Sequence, residues 1–221
     1  MDYSIMKDLI QLLEDFEADS GLGSIYEKDI KGFKKWIADS SDNATVAEPD
    51  WEGKDAGRGP DSVINTLIVH MNRYARSYSK SAIQGSGFAT QEEFIYLINL
   101  IASGPMSKME LIKHNIQEKT SGMKIINRLI HQGWVEQQDS EIDKRSKIVQ
   151  ITASGRQALE QQMSQIRLAT RIVTGPLSHA EKMDLIRLLY KLDHFHKPIY
   201  LENIDSNELI KRVTEEFLTE N

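Results

Sequence analysis

Apolar side chains recur every three or four residues along most of this chain, the spacing that places them on one face of an α-helix. Residues 4–18 and 30–37 show this spacing first, residues 61–84 show it over the greatest length, and residues 206–217 show it near the end. The stripe in 61–84 consists of Val63, Leu67, Met71, Tyr74 and Tyr78. The pattern therefore predicts a mostly helical protein with one long amphipathic helix in its first half.

Capping signals divide the middle of the chain into separate helices. A serine or threonine followed three residues later by Glu or Gln favours a helix start, because the two side chains satisfy free backbone N–H groups. Such pairs occur at Thr90–Glu93, Ser107–Glu110, Ser154–Gln157 and Ser178–Glu181. A further helix is predicted over residues 119–132, ending at Gly133, since glycine readily adopts the left-handed conformation that closes a helix.

Two short alternating segments interrupt the helical pattern. Residues 134–137 and 147–151 are predicted to be strands joined by a charged loop. Two short helices followed directly by a β-hairpin is the order of elements in a winged helix-turn-helix. The predicted fold class is therefore mostly α with a small β-hairpin wing.

The composition limits the kinds of protein the chain can be. Its 221 residues are 40% hydrophobic and 27% charged, which is typical of a globular protein with a buried core. The absence of cysteine excludes disulfides, thiolate metal ligands and a cysteine nucleophile. No apolar run reaches the length of a membrane span, and the N-terminus lacks the bases and apolar core of a signal peptide. We therefore expect a cytoplasmic protein without a membrane partner.

The net charge of −6 is distributed unevenly along the chain. Residues 1–60 contain 7 Lys or Arg and 14 Asp or Glu, a net charge of −7, whereas the remaining residues contain 20 and 19, a net charge of +1. From Lys119 to Val135 there are three bases and no acid. A polyanion would be repelled by the first sixty residues and attracted to the helix predicted over 119–132.

That helix is predicted to have one apolar and one polar side. Ile125, Ile126 and Leu129 fall on the inward side. The outward positions are Thr120, Ser121, Lys124, Asn127 and Arg128. Hydroxyl and amide groups bond the edges of bases, and Lys and Arg bond guanine or phosphate, so this face suits double-stranded DNA. An ordinary solvated helix face is the alternative, although such a face normally mixes acids with bases.

Two longer stretches carry a resemblance to a known family. The first is LIKHNIQEKTSGMKIINRLIHQGWV, residues 111–135, and the second is DKRSKIVQITASG, residues 143–155. Together with the flanking helices, they make the span from Thr90 to about Leu192 resemble the MarR family of bacterial transcription regulators. The resemblance implies a homodimer that binds a palindromic operator. It also implies a repressor, since members of the family are more often repressors than activators. The helix at 61–84 and the C-terminal helices would interleave between subunits.

The resemblance also implies which residues touch DNA. The predicted DNA-binding set is Lys119, Thr120, Ser121, Lys124, Asn127, Arg128, Asp143, Lys144, Arg145 and Lys147. The helix residues would enter a major groove, and Arg145 would lie at a minor groove. Asp143 would hold Arg145, since a carboxylate two residues away can accept from the guanidinium. The chain departs from the family at Gly122, where an apolar side chain is usual, and glycine would permit a close backbone approach.

A small-molecule effector is a further implication of the resemblance, since relatives often bind one where the dimer helices meet the winged helix. The candidate lining residues are Tyr74, Tyr78, Phe88, Phe94 and Trp134. Aromatic residues at helical spacing are more often plain core residues, and that alternative stays open for this set.

Signals for catalysis or metal binding are weak. His194 and His196 could be two metal ligands, but no third ligand is obvious, so a histidine pair at a helix end is favoured and no metal is predicted. The sequence GLGS at residues 21–24 lacks the lysine and the strand of a phosphate-binding loop. No Ser-His-Asp arrangement stands out. We therefore expect neither an enzyme nor a cofactor.

The chain is predicted to have three parts. Residues 1–60 would form an acidic helical extension and linker, 61–200 a MarR-like winged-helix domain with dimerisation helices, and 201–221 a C-terminal helical extension. Trp51 is a candidate anchor of the linker. The N-terminal extension is interpreted as a structural brace rather than a clamp over the DNA face, because its apolar side chains need to be buried. These are Leu9, Leu13, Phe16, Phe33 and Trp36. The alternative function is a non-catalytic protein-interaction module on a winged-helix scaffold.

Overall fold

The computed structural model describes residues 4–19, 26–43, 49–139 and 147–217. These residues are mostly helical, with one small antiparallel sheet. The chain divides into two compact units, one ending at Val63 and the other beginning at Ile64. No helix within the described ranges is long and apolar enough to cross a membrane.

The first unit is built around three aromatic side chains. Helices α1 (Ser4–Asp19) and α2 (Ile30–Asn43) bring Phe16, Phe33 and Trp36 together. The ring centroid of Phe16 lies 5.1 Å from that of Phe33 and 5.6 Å from that of Trp36. Aromatic rings bury much apolar surface at these distances, so the cluster joins the two helices.

The residues that precede Pro60 differ in part from the sequence expectation. The sequence predicts a linker over residues 40–61, but helix α2 continues to Asn43, so the first four of these residues are helical. The indole Nε1 of Trp51 donates to the carbonyl of Arg58 at 2.7 Å and closes a turn within its own segment. Leu9 and Leu13, expected to be buried, are exposed on α1.

The second unit contains a winged helix with long helices on both sides of it in sequence. The helices from here on are α3 (Pro60–Ala82), α4 (Gln91–Ser103), α5 (Lys108–His114), α6 (Lys119–His131), α7 (Ala153–Thr174), α8 (His179–Leu201) and α9 (Ser206–Phe217). The strands are β1 (Met106–Ser107), β2 (Val135–Asp139) and β3 (Lys147–Ile151). The predicted fold class, mostly α with a small β-hairpin wing, is confirmed.

Strand β3 lies at the centre of the sheet, which has the antiparallel order β1-β3-β2. Strands β2 and β3 form the predicted hairpin, in which Val135 pairs with Ile151. Strand β1 pairs Met106 with Val149 and was not predicted, because two residues are too few to show alternation. Since β1 leads directly into α5, it ties the start of the helix-turn-helix to the base of the wing.

The core of the second unit joins α4 to the helix-turn-helix and the sheet. Leu97 of α4, Leu111 of α5, Leu129 of α6 and Val149 of β3 are fully buried in one cluster. Helices as short as α5 are marginal on their own in water. The shared core therefore holds the helix-turn-helix in place.

Two of the four predicted capping boxes are present. They are Ser107 with Glu110 at α5, and Ser178 with Glu181 at α8. The backbone N–H of Ser107 donates to the carboxylate of Glu110 at 2.7 Å. This bond, together with the Ser107 side chain, holds the pKa of Glu110 below its usual value.

The other two predicted boxes were wrong. Thr90 precedes α4 but makes no side-chain capping bond. Helix α7 begins after Thr152, whose hydroxyl accepts from the backbone N–H of Gly155 at 3.0 Å. Ser154 instead donates to the carbonyl of Gly133 at 2.7 Å, so it fastens the start of α7 to the end of the helix-turn-helix.

Two long helices expose many apolar side chains. On α3 these are Ile64, Leu67, Ile68, Val69, Met71, Tyr74 and Tyr78. On α8 they are Met183, Leu185, Ile186, Leu188, Leu189, Tyr190 and Leu192. Contiguous exposed apolar surface is uncommon on monomeric proteins and usually marks an interaction surface.

Candidate nucleic-acid interface

Helix α6 presents the predicted DNA-binding side chains together on one exposed face. Ile126 and Leu129 are fully buried on its other side, and Ile125 packs partly against the core. The exposed side chains are Lys119, Thr120, Ser121, Lys124, Asn127 and Arg128. We call this set the α6 face. It combines hydroxyl, amide and cationic groups, the groups that bond base edges and phosphates.

The turn before α6 fixes where the α6 face begins. Ile116 has a φ of 50°, in the left-handed region that side chains with a branched Cβ rarely adopt. The adjacent Asn115 side chain accepts from the amide of Asn99 on α4 at 2.7 Å. The hydroxyl of Tyr200 on α8 donates to the carbonyl of Gln117 at 2.7 Å. The turn is therefore held from α4 and from α8, through partners that lie too far away in sequence to be inferred.

Gly122 lets α6 approach the core closely. A Cβ at this position would lie 2.5 Å from Cγ1 of Ile112 and 2.9 Å from the hydroxyl oxygen of Tyr96. Tyr96 is buried, and within the described residues its hydroxyl has no hydrogen-bond partner. Burial raises the pKa of Tyr96 to about 12, with smaller contributions from Tyr200 and Glu92. The close backbone approach expected at Gly122 is thus directed at the core of the protein.

Arg128 differs from the rest of the α6 face because its guanidinium is paired. Its Nε lies 2.6 Å from Oε1 of Glu93 on α4. The other carboxylate oxygen, Oε2, accepts from the backbone N–H of Ala89 at 2.8 Å. The side chain of Glu93 is 2% exposed, whereas that of Arg128 is 51% exposed. Glu93 therefore connects α4 to α6 and does not form the predicted cap with Thr90.

The neighbouring Glu92 binds a different helix. Its carboxylate lies 2.9 Å from Nη2 of Arg76 on α3. Burial alone would raise the pKa of Glu92, but hydrogen bonds from Arg76, its own backbone N–H and the Thr90 side chain outweigh burial and lower it. Two consecutive acids in the first turn of α4 thus bind α3 and α6 respectively.

The wing carries the other predicted DNA contacts, and the described residues include its base. Lys147 at the start of β3 pairs with Asp139 at the end of β2 across the hairpin. This ion pair gives Asp139 a structural role at the base of the wing. Asp143, Lys144 and Arg145 lie outside the described residues.

The five effector candidates fall into two groups. Tyr74 and Tyr78 are exposed on α3, whereas Phe88 and Phe94 are buried in the core with Trp134 packed against them. The ring centroids of Phe88 and Trp134 are 4.6 Å apart, which fits the core alternative. Phe88 also lines a cavity of about 480 Å³ at the end of α3. An effector site stays a prediction.

The histidine pair near the end of α8 makes contacts within its own helix. The Nδ1 atom of His194 lies 2.7 Å from the carbonyl of Tyr190, one turn earlier in the same helix. Across the described parts of the chain, no three His, Asp or Glu residues are grouped as a metal site.

These features define a class of protein. A winged-helix DNA-binding domain consists of a short helix, a turn and a polar exposed helix, followed by a β-hairpin. The second unit has these elements in this order. The sequence family described as winged helix DNA-binding domain matches residues 90–155.

Two relatives and one solved structure narrow this class. The chain is 29% identical over 103 residues to the HTH-type transcriptional repressor NicR of Pseudomonas putida, covering 47% of this chain and 65% of NicR, less than two thirds of that relative. It is 30% identical over 105 residues to the HTH-type transcriptional regulator YwoH of Bacillus subtilis, covering 45% of this chain and 74% of YwoH. A MarR mutant from Escherichia coli complexed with operator DNA shares the fold at a TM-score of 0.55 and 21% identity, covering 65% of this chain and 99% of that one. The chain belongs to the MarR family of winged-helix, DNA-binding transcription regulators.

Proposed function

We propose that this regulator acts as a homodimeric repressor that inserts α6 into the major groove of a palindromic operator. The observation that carries the proposal is the α6 face, where six polar or cationic side chains are exposed together on a segment without acids. Base edges would be read by the hydroxyl, amide and guanidinium groups, and phosphates would be bound by the lysines. NicR is named a repressor, which supports repression. The Escherichia coli MarR mutant was solved with operator DNA, which supports operator binding.

The exposed apolar residues of α3 and α8 support the homodimer. Each Å² of apolar surface removed from water contributes about 25 cal/mol, so a second copy covering both helices would be strongly favoured. Helix α8 exposes apolar side chains on more than one face, which is typical of a helix buried among partners. A twofold dimer uses the same surface on both chains and would set two α6 helices about one DNA turn, ~34 Å, apart. An operator with inverted half-sites follows from that geometry.

The tip of the wing completes the proposed interface. The resemblance to the family implies that Lys144 and Arg145 approach the minor groove, with Asp143 holding Arg145. Cations are favoured there because a narrow minor groove has an enhanced negative potential. Lys147 is paired with Asp139, so we assign it mainly to the stability of the hairpin.

Replacing Lys124 by Ala is expected to weaken operator binding by roughly 1–3 kcal/mol. Lys124 is exposed on the α6 face, so its removal leaves the core intact and deletes a contact with a base or a phosphate. If the contact is to a phosphate, the slope of log affinity against log salt should fall by about 1. Fluorescence anisotropy with a labelled DNA that the protein itself selects measures both quantities.

The matched control for this change is Lys80→Ala. Lys80 is an exposed lysine near the end of α3, outside the α6 face and the wing. This control is expected to leave affinity and salt slope unchanged. Equal affinities of wild type and Lys124→Ala at every salt concentration would contradict the role of α6 and favour the interaction-module alternative.

A further inference from the structure

The ion pair between α4 and α6 places a buried acid behind an exposed cation. Glu93 has almost no solvent exposure, and both of its carboxylate oxygens are engaged, one by Arg128 and one by the backbone N–H of Ala89. Arg128 is half-exposed on the α6 face. The acid therefore faces the protein interior, and the cation faces the side where the operator is proposed to lie.

The geometry of a guanidinium allows this arrangement to serve DNA recognition. Arginine has five N–H donors in a rigid planar fork, and in the ion pair its Nε is the atom that lies 2.6 Å from the Glu93 carboxylate. The two Nη groups face away from Nε and can together bond guanine or a phosphate in a bidentate manner. A free arginine must lose rotamer entropy when it binds, whereas one already fixed by a buried partner loses less.

We propose that Glu93 is a positioning residue for operator recognition, which holds Arg128 so that its remaining N–H groups meet the DNA. This inference rests on the proposed function of the α6 face. Because Glu93 is buried and paired, its charge does not repel the duplex as an exposed acid would. The ion pair between Glu93 and Arg128 also connects α6 to α4. The same contact therefore sets both the position of α6 and the orientation of the Arg128 guanidinium.

Glu92 provides a matched control for this role. It is adjacent in sequence, carries the same charge and also pairs with an arginine, but that arginine is Arg76 on α3. Both Glu93→Gln and Glu92→Gln remove one negative charge from the first turn of α4. A general electrostatic effect on a polyanion would raise DNA affinity in both variants alike, whereas positioning acts through Glu93 alone.

The test measures binding of the full chain to its selected operator and to an unrelated duplex, with thermal unfolding recorded for each variant. Glu93→Gln is expected to reduce operator affinity about tenfold and to lower the ratio of specific to non-specific binding. In a protein that already carries Arg128→Ala, adding Glu93→Gln is expected to leave operator affinity unchanged. Glu92→Gln is expected to keep the wild-type ratio. Unchanged or tighter operator binding by folded Glu93→Gln would overturn the proposal, as would an equal loss in the Arg128→Ala background.

A second variant keeps the inference testable if Glu93→Gln does not fold. Arg128→Lys retains the positive charge on an exposed side chain, but a single ammonium cannot both bond Glu93 and offer the bidentate fork. It is expected to lose as much operator affinity as Arg128→Ala. Full affinity in Arg128→Lys would overturn the positioning role. If Lys124→Ala weakens binding while no Arg128 variant does, the proposed function stands and this inference fails.

Discussion

Replacing Leu67 by Asp is expected to convert the protein into a monomer and to lower operator affinity at least about a hundredfold. Leu67 lies on the apolar stripe of α3 and is 55% exposed, so the change should leave the fold of each chain intact. In a twofold dimer the substitution occurs twice, and residues central to an interface contribute about 2 kcal/mol or more each. A carboxylate forced into that apolar surface adds a desolvation cost. Light scattering after size-exclusion chromatography reports the mass, and anisotropy reports the affinity.

The matched control for Leu67→Asp is Ser62→Asp. Ser62 is also exposed on α3 and gains the same charge, but its neighbours one turn away, Arg58, Asn65 and Thr66, are polar. It is expected to remain dimeric and to bind its operator. A Leu67→Asp protein with the wild-type mass would show that α3 is not part of the dimer interface.

Replacing Gly122 by Ala is expected to destabilise the protein by about 1–3 kcal/mol, the usual cost of overpacking a core. Helix propensity alone would predict a more stable protein, since alanine favours a helix over glycine by about 1 kcal/mol. The added methyl group, however, would lie 2.5 Å from Cγ1 of Ile112, a side chain buried in the core. Helix α6 must shift outward, so operator affinity should fall along with the unfolding temperature. Thermal and denaturant unfolding show directly whether Gly122→Ala raises or lowers the stability of the protein.

Two comparisons isolate the clash at Gly122. Thr120→Ala changes an exposed position of the same helix and should preserve or slightly raise stability, because propensity acts there without a clash. In a double-mutant cycle, Gly122→Ala should cost less when Ile112 is already Ala, since the contacted atom is gone. A more stable Gly122→Ala protein would contradict the packing assigned to α6.

The winged helix was predictable because its signals are local. Helices α5 and α6 show apolar residues on a single face, the capping box at Ser107 has both of its partners, and Gly133 closes α6 with a φ of 70°. Strand β3 was predicted with its observed bounds, residues 147–151. Each of these features depends on residues within a few positions of one another, which sequence periodicity reports directly.

The errors arose where distant residues compete for a side chain. Thr90 and Glu93 have the spacing of a capping box, but the carboxylate of Glu93 is bound by the guanidinium of Arg128 and by the backbone N–H of Ala89. Glu93 therefore turns toward Arg128, which lies 35 positions later in the sequence. Similarly, the partners that hold the turn before α6 come from α4 and α8, at Asn99 and Tyr200.

The candidate site was predictable as a face but not as a set of contacts. Sequence spacing placed five members of the α6 face together on one exposed side, as the structure has them, and the structure adds the exposed Lys119 at the start of the helix. It could not show that Arg128 is already paired, or that Gly122 is required by the packing of Ile112 and Tyr96. Those properties depend on how closely α6 approaches α4 and α5, which spacing along one helix does not encode.

The most direct test of the central claim, that this regulator reads a specific DNA sequence through α6, is selection of bound fragments from a random duplex pool by the purified full chain. We expect enrichment of an inverted repeat with half-site centres about 10 base pairs apart. We also expect Lys124→Ala to enrich this repeat less than the wild-type protein does at the same salt concentration. Recovery of no common sequence by the folded wild-type protein would contradict the account.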